Sequence, residues 1–435
     1  MKRKWLNVKA TLILVLIVIV AGCGAGNTKE SATGGGNGAA PKQQVELSML
    51  SSWSTDTERG RALHAVVEKF NQENEGNIKV KLDINADWPS LQQKVKTMIA
   101  AGQTPDLFNY NFNPNDLSRQ ESGELLDFNP FMNEEWKSRF TEQDLQAMTV
   151  DGQLTSIPFE KAGILFYYNK ELFAQAGIES FPATWDEFFQ VCEQLKSAGI
   201  TPISLMTSDD AWHTTNLFTY LAASIAGTSV FEPGQSLDTP EVTQAAQYLK
   251  QMFEYTTPDA LGGNYSVSSN NFLIGNTAMI IDGPWLIGSI SEEMIPSIGI
   301  AASPTFGDGK VQPGFTVTDA HTPWSAAKQT SPEKEEAVVQ FLKFMTSEES
   351  SKTFTIDGRI LLSMRLELNE EEVSEAGPIL GQYIKTNSEA PESIVNIVRI
   401  LKPAATSKLP SLLEGLILDK FTPEEFAKEL EAANL

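Results

Sequence analysis

Apolar positions in the first part of the folded chain follow two spacings in turn. Apolar and polar residues alternate at 45–49 and at 78–84, which predicts two strands, and a third strand is expected at 106–108. At 63–70 and 91–99 the apolar residues instead recur every three or four positions, which predicts helices packed on one side. The order strand, helix, strand, helix, strand predicts a parallel, doubly wound α/β sheet.

The later part of the chain continues this alternation. Residues 164–168 form an apolar run typical of a buried strand. Thr184, with Glu187 three residues later, has the spacing of a capping box and predicts a helix start. Cys192 on that helix is expected to be a small core residue. The other elements predicted here are helices at 170–176, 241–255 and 333–346 and a strand at 278–281.

The amino end predicts export and lipid anchoring. Three basic residues at 2–4 precede an apolar run at 10–21, which is typical of a signal peptide. The run ends in Val-Ala-Gly-Cys, which resembles the bacterial lipobox, so we expect lipidation at Cys23 and cleavage before it. The alternative is a transmembrane anchor with an incidental cysteine, for which the run is short. Residues 24–44 are polar and glycine-rich, as in a flexible tether.

Length and charge exclude several classes of function. The chain has 435 residues, enough for about two domains at roughly 100–200 residues each. Its net charge is −23, and removal of residues 1–22, with four basic residues and no acidic ones, makes it −27. That sign disfavours nucleic-acid binding. Two cysteines and three histidines make a disulfide framework or a His-rich metal site unexpected, and we expect no metal and no cofactor.

Motifs of catalysis and metal binding are mostly missing. Residues 83–87 resemble the start of a calcium loop, but Trp88 stands where glycine is needed and Lys94 where the bidentate glutamate belongs. Phosphate-binding and zinc-protease motifs do not occur. Asp209 and Asp210 could form a catalytic carboxylate pair, although adjacent residues seldom reach one bond from two sides. We therefore expect a solvated loop there and no catalytic residue.

Three tryptophans lie close to short polar residues in predicted loops. Trp53 is near Asp56, Trp285 is near Asp282, and Trp212 lies between acidic and amide side chains. An aromatic face packs against the apolar face of a pyranose, while carboxylates and amides bind its hydroxyls. These groups therefore indicate a sugar site, with packing in the core as the alternative for each tryptophan. We assign structural roles, without sugar contact, to Trp88, Trp136 and Trp185.

Three ordered blocks of sequence resemble a known family. They are AGQTPDLFNYN from residue 101, IPFEKAGILFYYNKELFAQAGIESFPATWDEFFQVCEQLKSAGITPISL from 157, and GNTAMIIDGPWLIGSI from 275. Together with the lipobox they resemble the extracellular solute-binding proteins of carbohydrate ATP-binding-cassette importers, the group that includes maltose-binding protein. The resemblance implies a two-lobed α/β periplasmic-binding-protein fold of type II, with sugar held between the lobes and hinge closure on binding.

The resemblance also implies where the lobes and the sugar contacts lie. Crossings between lobes are expected near 158–162, 297–303 and 349–357. One lobe would comprise 45–157 plus 302–350, and the other 158–301 plus 351–435. Sugar contacts are implied at Trp53, Asp56, Asn109, Tyr110, Glu160, Trp212, Asp282 and Trp285. Arg359 could donate to hydroxyls or pair with a surface acid, and the departure from the family pattern at 315–324 leaves a contact at Phe315 or Asp319 unsupported.

These observations predict a lipid-anchored, monomeric sugar or oligosaccharide receptor on the extracytoplasmic face of the cell membrane. It would deliver its ligand to the permease subunits of an importer. Two alternatives stay open at this stage. One is a secreted carbohydrate-active enzyme, a glycosidase or lyase, that uses some of the same carboxylates. The other keeps the fold but binds a polyamine, a peptide or a metal ion, since polyamine sites also use aromatic and acidic residues.

Overall fold

The structure, a computed structural model, describes residues 44–110, 123–208, 211–231, 234–307 and 309–435. The predicted signal peptide, Cys23 and almost all of the tether lie outside these residues, as do Asp209 and Asp210. Among the helices of the described ranges, none combines the length and the apolar character that a bilayer crossing needs.

Strands and helices alternate along the described chain much as the sequence predicts. The strands are β1 (Val45–Ser51), β2 (Ile78–Ile84), β3 (Leu107–Asn109), β4 (Thr149–Val150), β5 (Gln153–Leu154), β6 (Ser156–Asn169), β7 (Thr201–Ser204), β8 (Thr277–Asp282), β9 (Ile298–Ala301), β10 (Thr316–Ala326) and β11 (Ser393–Val395). The α-helices are α1 (Glu58–Glu73), α2 (Trp88–Ala100), α3 (Glu134–Lys137), α4 (Glu142–Ala147), α5 (Lys170–Gln175), α6 (Trp185–Ser197), α7 (Trp212–Ala226), α8 (Pro240–Met252), α9 (Tyr265–Leu273), α10 (Pro332–Met345), α11 (Glu348–Ile356), α12 (Glu370–Glu375), α13 (Pro378–Ser388), α14 (Pro403–Ile417) and α15 (Pro423–Asn434).

Side-chain caps explain several of these boundaries. Thr184 and Glu187 form the expected capping box at the start of α6. Asp87, which belongs to the calcium-like stretch, instead caps α2 by accepting the Ser90 backbone N–H at 3.0 Å. Cys192 is fully buried in the core, and burial raises the pKa of its thiol well above the usual value. Both sequence interpretations, a helix cap and a core cysteine, are confirmed.

Nine of the described strands form a mixed sheet that continues through both lobes, while β4 and β5 pair separately. Its order is β2-β1-β3-β10-β6-β8-β7, with β9 beside β6 and β11 beside β10. β1 pairs with β2 and β3 in parallel, as predicted for a doubly wound unit. The long strands β6 and β10 are antiparallel to each other, and they join this parallel unit to the parallel pair β7 and β8. The two lobes are therefore connected by two shared strands, β6 and β10, and do not have separate sheets.

Separate hydrophobic clusters define the two lobes. The first-lobe cluster packs around Trp53, Trp136 and Trp324, and the largest second-lobe cluster packs around Trp185 and Tyr220. A further second-lobe cluster includes residues of β6, β8, β9 and α13. Since each cluster buries its own set of apolar side chains, each lobe has a core of its own.

The chain passes between these cores at three places, two of which differ from the sequence prediction. The first lies within β6, between Phe159 of the first-lobe cluster and Ile164 of the second. The second lies within β10, because the predicted segment 297–303 contains β9, which pairs with β6 inside the second lobe. The third crossing lies later than the predicted segment 349–357, most of which is α11. Met364, after that helix, still packs in the first-lobe cluster, so the chain leaves this lobe only beyond it.

Candidate functional site

The crossing strands bring Glu160 to the middle of the hinge. Glu160 on β6 pairs with Thr322 of β10 on one side and forms a bridge with Leu362 on the other. Its side chain is 1% exposed. A carboxylate in such a position needs a charged or hydrogen-bonding partner, because the desolvation of an unpaired charge is costly.

Arg59 supplies that partner and also contacts both lobes. Its Nη2 lies 3.2 Å from Glu160 Oε1. Its guanidinium lies over the rings of Trp53 and Trp285, 5.4 and 5.5 Å from their centroids, which is within the range of cation–π attraction. Trp53 belongs to the first-lobe core, whereas Trp285 follows β8 of the second lobe. Arg59 is thus a direct contact between the lobes.

The start of α1 sets the position of Arg59. Thr57 caps the helix by accepting the Gly60 backbone N–H at 3.2 Å. Gly60 packs so closely on the preceding loop that a Cβ would collide with the Ser54 carbonyl. A Cβ on Gly288, in the turn that contains Trp285, would likewise collide with Glu58. Glycine at positions 60 and 288 therefore allows α1 to approach the second lobe.

Second-lobe aromatic rings surround the buried end of β8. Trp212 stacks on Tyr265 at a centroid distance of 5.9 Å and meets Trp285 edge-on at 5.6 Å. His213 lies beside them, with its Nε2 3.6 Å from Asp282 Oδ2. Trp212 begins α7 directly after Ala211, whose φ of 53° is left-handed and unusual for alanine. We refer to Trp212, Tyr265 and Trp285 as the aromatic cluster.

Electrostatics around this cluster are dominated by burial. Desolvation raises the pKa of Asp282 above its ordinary value, although the neighbouring His213 ring and the Gly283 backbone N–H, which donates to Oδ1, act in the opposite direction. Burial also raises the pKa of Tyr265 well above the usual value, so its hydroxyl stays protonated. Asp282 and His213 are fully buried beside the rings, so polar groups without water lie next to the aromatic cluster.

The first lobe contributes buried polar atoms on neighbouring strands. Asn109 ends β3 and faces Trp324 of β10 across the strand pairing. Both side-chain polar atoms of Asn109, Nε1 of Trp324 and Oε2 of Glu160 are buried and have no hydrogen-bond partner among the described residues. Buried polar groups in native proteins are normally satisfied by protein, water or ligand. These groups are therefore candidates for ligand hydrogen bonds.

Several predicted site residues lie elsewhere or in other roles. Trp53 is 2% exposed and packs against Phe159, Trp324 and Phe354, so it is a core residue beneath Arg59. Asp56 is exposed and accepts a hydrogen bond from Ser54. Tyr110 packs beside α2, and Arg359 has a left-handed φ of 53° and lies near Gly377.

Arg59, His213 and Tyr265 belong to the candidate site, and the sequence interpretation did not name them as contacts. Arg59 is 101 positions from its partner Glu160, and no spacing rule relates the two. Tyr265 begins a short helix, Tyr265–Leu273, that carries no recognisable binding motif. The described residues contain no group of His, Cys, Asp or Glu that could hold a metal ion.

The ion pair at the hinge leads to a stability prediction. Arg59→Ala leaves Glu160 buried without its cation, so we expect the free energy of unfolding to fall by about 3 kcal/mol. Arg61→Ala is the matched control, since Arg61 lies on the same helix with a 54% exposed side chain paired to Glu58. That control should change stability by about 1 kcal/mol or less. Urea unfolding of both variants measures the difference, and equal losses would contradict a structural role for the Arg59–Glu160 pair.

Known proteins of one family match both the sequence and the fold. The family of bacterial extracellular solute-binding proteins matches residues 53–352. A putative binding protein of Brucella abortus is 32% identical over 292 residues, covering 65% of this chain and 68% of that protein. The maltodextrin-binding protein MdxE of Bacillus subtilis is 24% identical and covers 68% of each chain.

Solved structures agree with this match. The structure of a chitin oligosaccharide binding protein has a TM-score of 0.79 at 26% identity, covering 90% of this chain and 98% of that one. A maltose-bound protein of T. maritima, at 18% identity and a TM-score of 0.72, supports the fold alone. The family match extends over well more than half of the chain, and it includes the strand crossings and the aromatic cluster. The chain belongs to the bacterial extracellular solute-binding proteins.

Proposed function

We propose that this protein is the sugar-binding receptor of an ATP-binding-cassette importer, acting as a monomer outside the cytoplasm. The observation that carries the proposal is the position of Trp285. Its partly exposed indole stands on the second lobe and meets Arg59 of the first lobe beside the buried carboxylate of Glu160. An aromatic face next to such hydrogen-bonding groups suits the two sides of a pyranose.

The names of related proteins support a sugar as the ligand. They include the maltotriose-binding protein of Pyrococcus abyssi, the multiple sugar-binding protein of Streptococcus mutans and the maltodextrin-binding protein above. We propose Trp285 and Trp212 as stacking residues, with Asn109 and Glu160 as hydrogen-bonding residues. We also propose Asp56, Tyr110 and Arg359 as sugar contacts, on the family resemblance alone.

We also propose binding without catalysis. Ser268 Oγ lies 3.0 Å from His213 Nδ1, and His213 faces Asp282, an order of contacts that hydrolases use. Here Ser268 and His213 are buried, and the Ser268 hydroxyl is already paired with the ring, unlike the unpartnered polar atoms of Asn109 and Glu160. This pairing argues against the enzyme alternative and favours a structural role for Ser268.

A thermal-shift panel tests the function. The wild-type protein should be stabilised by at least one of maltotriose, raffinose or a chitin oligosaccharide, by about 2.7 kcal/mol at 100 times its dissociation constant. The sugar should be recovered unshortened after incubation. Stabilisation by spermidine or a peptide instead of any sugar would contradict the proposal, and shortened products would favour the enzyme alternative.

Variants connect that shift to the proposed site. Trp285→Ala should weaken binding of the stabilising sugar tenfold to a hundredfold, which corresponds to roughly 1–3 kcal/mol. Trp185→Ala is the matched control, since Trp185 is fully buried in the second-lobe core and its Nε1 donates to Ser224. That control should lose about 3–5 kcal/mol of stability and keep its affinity. Isothermal titration gives both affinities, and unchanged binding by Trp285→Ala would rule out stacking on Trp285.

Hinge closure is a further part of the proposal. A sugar that contacts Asn109 or Glu160 and also Trp285 interacts with both lobes, so it favours the closed arrangement. We expect the radius of gyration from small-angle scattering to fall when the stabilising sugar is added. An unchanged scattering profile at saturating sugar would contradict closure even if the sugar binds.

Lipid anchoring at Cys23 is proposed from the Val-Ala-Gly-Cys sequence at 20–23. A thioether-linked lipid together with an N-acyl chain gives the two anchors that stable membrane attachment requires. Cys23→Ser should abolish lipidation, because no other thiol lies in this segment. Detergent phase partitioning measures it, with Cys192→Ser as the control that should still partition with membranes. A Cys23→Ser protein that partitions like the parent would contradict the lipobox interpretation.

A further inference from the structure

A buried tyrosine of the second lobe holds the ends of both crossing strands. Ile164 of β6 and Val317 of β10 face each other in the strand pairing. The hydroxyl of Tyr220 on α7 contacts both residues, because it accepts the Val317 backbone N–H at 2.8 Å and donates to the Ile164 carbonyl. One hydroxyl that acts as donor and acceptor in this way ties the two strands to a second-lobe helix.

Gly163, the neighbour of Ile164, is held by another second-lobe helix, α13. The Tyr383 hydroxyl donates to the Gly163 carbonyl, and the Gly163 N–H donates to Asn387 Oδ1 at 3.1 Å. This approach requires glycine, because a Cβ at position 163 would collide with Asn387 Oδ1. Both backbone polar groups of Gly163 are therefore bound to one helix of the second lobe.

Both tyrosines are anchored in the cores of the second lobe. Tyr220 is fully buried in the largest second-lobe cluster, with its ring 5.1 Å from that of Phe315. Tyr383 is fully buried in the further second-lobe cluster, with its ring 6.2 Å from that of Tyr167. Aromatic rings in a close-packed core have few alternative positions, so their hydroxyls hold the strand ends in a fixed place relative to this lobe.

The other side of the hinge is bound by different groups. The Lys161 backbone N–H donates to the Leu361 carbonyl at 2.9 Å, in the segment that follows α11. Lys161 Nζ also pairs at 2.9 Å with Asp144, a buried carboxylate on α4 of the first lobe. The first-lobe contacts of β6 therefore extend to Lys161, and the second-lobe contacts begin at Gly163.

A short stretch of each strand lies between these two sets of contacts. In β6 it is the single residue Ala162. In β10 the pairing register shifts between Thr318 and Ala320, so Asp319 has no residue opposite it. Such a bulge disrupts the ladder of hydrogen bonds locally. Since a hinge consists of a few residues that absorb the change in φ and ψ, these positions are suited to bending.

We propose that Tyr220 and Tyr383 are positioning residues for lobe closure. They hold the second-lobe ends of β6 and β10, so that the two strands bend at Ala162 and at 318–320. The inference rests on the proposed function in one respect, that a sugar causes the closure. A bend at these positions would move Glu160 relative to Trp285 without disturbing the core of either lobe.

Residue-level amide hydrogen exchange, recorded with and without the panel sugar, tests where the strands bend. In the sugar-free wild type, the amides of Gly163 and Val317 should exchange about tenfold more slowly than those of Ala162 and Asp319. Addition of the sugar should slow exchange at Ala162 and Asp319 about tenfold, because closure restricts the hinge, and should leave Gly163 and Val317 within about twofold of their sugar-free rates.

Two variants move the expected boundary. Tyr383→Phe and Tyr220→Phe each remove one hydroxyl and keep the ring. The sugar-dependent slowing of exchange should then extend to Gly163 in the first variant and to Val317 in the second. The affinity for the panel sugar should fall about threefold or more in both, because binding must also order the released strand end.

Tyr255→Phe is the matched control. Tyr255 is another buried second-lobe tyrosine, and its hydroxyl donates to Glu193 at 2.7 Å, away from the crossing strands. This variant loses the same chemical group from the same lobe. It should keep the exchange pattern of the wild type and its affinity.

The sugar dependence of the exchange separates positioning from a merely structural role. If exchange at Gly163 in Tyr383→Phe rises by the same factor with and without sugar, the proposal is overturned, and a wild-type response spread evenly over 160–168 would overturn it as well. Should Tyr383→Phe not fold, Asn387→Ala removes the other contact to Gly163 from a half-buried side chain and should give the same extension. If no panel sugar binds, the proposed function fails, while equal exchange at Gly163 and Ala162 in the sugar-free protein would contradict the hinge proposal separately.

Discussion

The ion pair between Arg59 and Glu160 is the interaction on which the arrangement of the lobes depends. Glu160 lies where three segments of chain pass from one core to the other, and its carboxylate is removed from water. Burial makes an unpaired charge there costly, so the first helix must bring a cation to the hinge. The Arg59 guanidinium that pairs with Glu160 also lies over the ring of Trp285. The ion pair therefore places atoms of the first lobe against the second lobe.

Close backbone approach at three glycines makes this arrangement possible. Gly60 lets α1 begin directly on the loop after Trp53, and Gly288 leaves room for Glu58 at the facing turn. Gly283 allows the indole of Trp285 to lie against its own backbone. Glycine is the residue without a Cβ, which is why larger residues at these positions would separate the groups of the site.

Both halves of the candidate site contain buried polar atoms without a hydrogen-bond partner. In the second lobe, Oδ1 of Asp282 accepts from the Gly283 backbone N–H, whereas Oδ2 of Asp282 and Nε2 of His213 have no partner among the described residues. In the first lobe, the amide of Asn109 and Oε2 of Glu160 have none either. A ligand with several hydroxyls would therefore be expected to form hydrogen bonds with both lobes and stacking contacts with the second.

Local sequence determined the elements and suggested part of the candidate site. Alternation at 45–49 and 78–84, the helical spacing at 63–70 and the cap at Thr184 depend on neighbours a few residues apart, so these predictions agree with the structure. Trp285 and Glu160 could be proposed as sugar contacts because they lie in short blocks that resemble the family. Only the tertiary structure shows that the chain passes back to the first lobe within β10 and that Trp53 is buried beneath Arg59. It also brings His213 and Tyr265 beside the end of β8 at Asp282. The physical reason is that burial and charge pairing act between residues far apart in sequence, such as Arg59 and Glu160 at 101 positions, and no local spacing records which of them will meet.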